Sequence, residues 1–144
     1  MKEGNIMQRL IRYCQGLFGV KMNQTEIGRT DVVYHNAIRD RVKQHHDLKT
    51  ALSRLIILRN KADTRGLSLQ EDLSVVEAAL KTAAKTGDEE RGIELLDKRT
   101  TLQSGIQASS VESRGFTQQI DSAKEGLQQL AKSITELKSE QAKI

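Results

Sequence analysis

A four-three alternation of apolar positions, carried through most of the chain from Leu48, leaves this sequence few folds to choose from. The first series falls at positions 48, 52, 55, 59, 62, 66, 69, 73, 76, 80 and 83, reading Leu, Leu, Leu, Arg, Ala, Gly, Leu, Leu, Val, Leu and Ala. After a break at Gly87 it resumes at 95, 99, 102, 106, 109, 113, 116, 120, 123, 127, 130, 134, 137, 141 and 144. Such alternation is the heptad seam of a helix that buries one narrow stripe against another helix.

The two seams also fit each other. If residue i of the first arm faces residue 175 − i of the second, the layers become Leu80/Leu95, Leu73/Leu102 and Leu69/Ile106. Farther from the break they become Leu55/Ile120, Leu52/Ala123 and Leu48/Leu127, and the rule extends to Arg41/Ile134, Ile38/Leu137 and Tyr34/Gln141. Each layer pairs an a position with a d position, as an antiparallel coiled coil requires. The expected fold is all-α: a long antiparallel coiled-coil helical hairpin preceded by a short amphipathic N-terminal helix. The segments are 1–24, 25–86 for the first arm and 87–144 for the second, each arm reaching roughly 80 Å at 1.5 Å per residue.

Composition agrees with a narrow seam. The 144 residues include no proline or tryptophan and only 3% aromatics, while 29% are charged, enough to coat the outer faces of long helices. The net charge of +4 is unevenly spread. Residues 1–30 hold five Lys/Arg against two Asp/Glu, residues 31–86 ten against seven, and residues 87–144 eight against ten. A basic start followed by a mildly acidic second arm suits side-by-side packing or attraction of the N-terminus to an anionic surface, while on the arms the mixed charges read first as a solubilising coat. The single cysteine, Cys14, excludes an internal disulfide and fits a reducing compartment. No apolar run approaches the roughly 20 residues that span a bilayer. The N-terminus lacks a secretory signal's apolar core and cleavage site. A cytoplasmic location with peripheral membrane contact is the expectation.

Residues 5–22, NIMQRLIRYCQGLFGVKM, form the first element. Ile6, Met7, Leu10, Ile11, Cys14, Leu17 and Phe18 recur at three- and four-residue steps on one face, edged by Arg9, Arg12 and Lys21. Gly16 and Gly19 each cost about 1 kcal/mol of helix propensity relative to Ala, so the helix is expected to order when its apolar face finds a surface. Two surfaces suit it. In a lipid interface, Ile6, Met7, Leu10, Ile11, Leu17 and Phe18 insert while Arg9, Arg12 and Lys21 meet anionic head groups. The other is a protein helix, from this hairpin or a neighbour.

Residues 23–31, NQTEIGRTD, are the joint, with Thr25, Thr30 or Asp31 as N-cap and Gly28 as a flexible point. The first arm opens with a dense basic set: Arg39, Arg41, Lys43, Lys49, Arg54, Arg59, Lys61 and Arg65. His35, His45 and His46 have no Cys, Asp or Glu pattern around them that makes a metal or catalytic site, and read as solvated or seam histidines. TRGLS at 64–68 puts Gly66 opposite Ser109 and Ala62 opposite Ser113. Two thin layers in succession mark a close helix approach, a bendable waist or merely weak packing. At KTGDEER, Gly87 suits a helix C′ position and Asp88 the next N-cap, with Glu89 and Glu90 well placed in the first turn. The second arm ends at Ile144 on a seam position without a C-cap glycine, which suits either a piece of a longer chain or a naturally short form.

Chemistry-bearing motifs are missing from the sequence. It holds no P-loop, dinucleotide glycine fingerprint, zinc spacing or nucleophile elbow. No enzyme activity and no cofactor is expected. Despite a pI near 9.3, the basic residues are interleaved with acids and only four aromatics are present for base stacking, so nucleic acid is not an expected partner.

The amphipathic start, joint, basic first arm, Gly-acidic turn and heptad second arm together resemble the phage shock protein A family. That family includes the vesicle-inducing protein of plastids and belongs to the ESCRT-III superfamily. The closest stretches are YHNAIRDRVKQHHDLKTALSRLIILRNK at 34–61 and TGDEERGIELLDKRTTLQSGI at 86–106, the latter like the family's hairpin tip. The resemblance implies a protein on the inner face of the cytoplasmic membrane, active in bacterial stress response. It would assemble with itself from overlapping hairpins and bind anionic or stressed membranes through its first helix. Some family members also restrain a transcriptional activator, which would add a regulatory protein partner. The helices that follow the hairpin in the family are not in this sequence. The alternative expectation is a soluble coiled-coil adapter whose first helix docks a protein.

Overall fold

The computed structural model describes residues 30–143, and two long helices account for nearly all of these. Helix α1 runs Thr30–Thr86 and α2 runs Glu89–Ala142, and they pack together as a hairpin, with no strand among the described residues. The amphipathic helix expected within 1–24 lies outside the described residues. The sequence favours uninterrupted helices because proline is absent and the termini complement the helix dipole. Asp31 sits in the first turn of α1 and Lys85 in its last, while Glu89 and Glu90 open α2. Exposed hydroxyls satisfy themselves on their own helix: Thr50, Ser53, Ser74, Thr82, Thr100, Thr101 and Thr135 each donate to the carbonyl four residues back.

The reversal is made by two residues. Gly87 adopts φ 70°, the only positive φ among the described residues, where a side chain would be strained. Asp88 N then donates to Ala83 O at 3.0 Å, the six-to-one bond of a Schellman C-cap. The same Asp88 starts α2. Its Oδ1 accepts from Arg91 N at 3.2 Å, and its carbonyl accepts from Gly92 N at 3.1 Å. One short turn thus closes one helix and caps the next.

The packed residues divide into two compact units, whose described parts are 30–55 with 118–143, and 56–117. In the first, Leu48, Leu55, Ile120, Ala123, Leu130 and Leu137 are buried, together with Ala51. Gly126 lies against Leu48, whose Cδ2 would be 3.1 Å from an added Cβ. Two polar bonds link the helices near its chain ends: Tyr34 Oη to Glu140 Oε2 and Gln141 Nε2 to Asp31 Oδ1, both 3.0 Å.

In the second unit, Val76, Ala83 and Leu95 form a buried cluster with Ala79, Leu80 and Leu102 packed against it. Gly66 faces Ser109, with an added Cβ 3.6 Å from the serine Cβ, and Gly105 faces Leu69. Ala62 and Ser109 are buried there as well. Every buried side chain apart from Ala51 occupies a position of the predicted seam. The contacts Leu48–Gly126, Gly66–Ser109 and Leu69–Gly105 fall on the predicted alignment or one residue from it.

Candidate functional site

The sequence places its candidate surface at Ile6, Met7, Arg9, Leu10, Ile11, Arg12, Leu17, Phe18 and Lys21, all of which lie outside the described residues. What the structure describes is the element that follows them in the chain and the charges it carries.

In the first unit, Arg39, Lys43, Lys49 and Arg54 are exposed and Arg41 is half-buried on the seam. Asp40 and Asp47 are exposed among them, and Arg39 Nε lies 3.9 Å from Asp40 Oδ1. The set is therefore not an uninterrupted cationic surface. In the second unit, Lys61 and Arg65 are exposed and Arg59 is half-buried. Arg65 Nη1 meets Glu112 Oε2 at 3.1 Å, but both groups remain wet, which limits such a pair to about 1 kcal/mol. Beside it, Ser113 donates to Asp63 Oδ1. Thus the first arm's cations are partly consumed by neighbours and partly free in water.

His35 and His46 are exposed and His45 half-buried. Among the described residues, no group of three or more His, Cys, Asp or Glu is placed to hold a metal ion. The acidic residues Asp88, Glu89 and Glu90 are exposed, and their geometry is that of a helix start. No helix of the described residues is long and apolar enough to cross a membrane.

Among the described residues, Tyr34 is the one group whose pKa is displaced. Its hydroxyl donates to the Glu140 carboxylate, and that bond, followed by partial desolvation and the neighbouring negative charge, raises the phenol above its usual 10.0. Ionisation would break the bond and set two anions side by side.

Periodicity alone did not identify the cross-helix polar bonds of Asp31, Tyr34, Asp63 and Arg65. A usable signal existed: the alignment sets Tyr34 one residue from Glu140 and Ala62 opposite Ser113, so flanking side chains fall within reach. In comparisons with known proteins, no family model, no curated relative and no solved structure matches this chain.

Proposed function

We propose that this protein is a membrane-associated, self-assembling structural protein that binds anionic or stressed membranes and remodels or protects them. The observation that carries the reading is the segment Ile6–Met22, an apolar stripe edged by Arg9, Arg12 and Lys21, set directly before a helical hairpin. Residues 1–29 hold five Lys/Arg and two Asp/Glu, so most of the chain's net positive charge is concentrated there. The resemblance of 34–61 and 86–106 to the phage shock protein A family supports the same reading.

Mechanistically, Ile6, Met7, Leu10, Ile11, Leu17 and Phe18 enter the acyl boundary while Arg9, Arg12 and Lys21 engage lipid phosphates. Each large side chain contributes at most roughly 1.5–3 kcal/mol, so one segment binds reversibly. Joining hairpins presents many segments at once and adds avidity. The location that follows is the inner face of the cytoplasmic membrane. Partners are other copies of the chain and anionic lipids, with a regulatory protein as a further one.

Co-sedimentation with anionic vesicles tests the insertion. The full chain pellets with the vesicles, and deletion of residues 1–23 leaves it in the supernatant. Equal pelleting of the two forms would refute insertion and favour the soluble adapter.

A further inference from the structure

We propose that Ala62–Leu69 and the facing Gly105–Ser113 form a local opening point, where the two helices of the second unit separate and re-close before the rest of that unit does. Three independent observations coincide at this level. The first is a thin seam: Gly66 faces Ser109, Leu69 faces Gly105, and Ala62 lies opposite Ser113 by the alignment. Leu69 and Ile106 are half-buried, like Leu73, Leu80 and Leu102 toward the turn, but the residues buried at this level, Ala62 and Ser109, are small, whereas Val76 and Leu95 are larger apolar side chains. A layer that removes little apolar area from water holds its helices weakly.

The second is local propensity. Gly66 lies in the interior of α1, and residues 104–115 of α2 read SGIQASSVESRG. Glycine is among the weakest helix formers, and serine competes for backbone hydrogen bonds. Both helices are therefore weakest where they hold each other least. The third is an open groove of about 420 Å³ between them, lined by Gly66, Leu67, Ile106, Ser109, Ser110 and Ser113 among others. Asp63 and Ser113, both of its lining, are joined by a hydrogen bond, and Arg65–Glu112 is a further link between the helices at adjacent positions, exposed enough to form and break readily in water. Regions with few buried apolar contacts and solvent-exposed polar links are where local unfolding begins. This inference stands on the hairpin alone and does not depend on membrane binding.

Hydrogen-exchange mass spectrometry on the full chain tests it. Amides of 64–69 and 104–113 are expected to exchange roughly tenfold or more faster than those of 76–83 and 95–102. Equal rates, or slower exchange at the proposed point, would overturn the idea. Gly66→Ala provides the second arm: an added Cβ makes ordinary contact with Ser109, so the variant folds, and exchange slows by roughly fivefold at 64–69 and 104–113. Unchanged exchange at 64–69 and 104–113 in this variant would also overturn the proposal. Arg65→Gln removes a bridging link and is expected to speed exchange in the same two segments, while faster exchange confined to 76–102 would contradict it.

Discussion

At the scale of single residues, two glycines on the same hairpin call for opposite outcomes. Gly66 has room for a methyl group, because an added Cβ would sit 3.6 Å from Ser109 Cβ. Gly66→Ala is therefore expected to raise stability by about 0.5–1 kcal/mol in urea unfolding, through helix propensity. Gly126 is buried against Leu48, and an added Cβ would lie 3.1 Å from a methyl of that fully buried leucine. Gly126→Ala should instead lower stability by about 1 kcal/mol, since overpacking outweighs the propensity gain. Tyr34 gives a pH-dependent reading. Its raised pKa means that the Tyr34–Glu140 bond stabilises the fold below pH 10 and is lost as pH rises through the folded value. In a Tyr13→Phe background, the phenolate absorbance of Tyr34 should titrate above pH 10.0, and Glu140→Gln should bring it back down.

At the scale of helices, stability depends on a stripe rather than on propensity alone, because long isolated helices gain most from packing one face. Leu55 is 1% exposed and Leu67 is 63% exposed on the same helix. Leu55→Ala should cost about 2–4 kcal/mol and Leu67→Ala less than about 0.5, as read from denaturant midpoints. This contrast was legible beforehand, since 55 lies on the four-three series and 67 does not. The turn at Gly87-Asp88 was legible too, because capping depends on a few neighbouring residues. Ala51 was not. A template of a and d positions says nothing of their flanks. Arg99 shows the same limit from the other side. Its seam position was plain, but not that its Nε would be buried without a hydrogen-bond partner while the residue stays only half-buried. A long stem covering apolar surface beneath a wet head depends on rotamers, which periodicity does not carry. The candidate surface at 6–21 was read from the amphipathic spacing of its own residues, and it lies outside the described residues.

At the scale of the whole molecule, the proposed function joins a leading amphipathic segment to a helical hairpin and has copies of the chain assemble together. On that proposal the segment supplies weak, reversible attachment, and repetition supplies strength. Because Arg9, Arg12 and Lys21 act through phosphate charge, attachment should weaken as salt rises, and the apolar face should keep a remnant of it. Negative-stain electron microscopy of the full chain, with and without anionic vesicles, tests attachment and assembly together. The account predicts ordered protein assemblies on the vesicle surface; discrete small oligomers beside bare vesicles would contradict it.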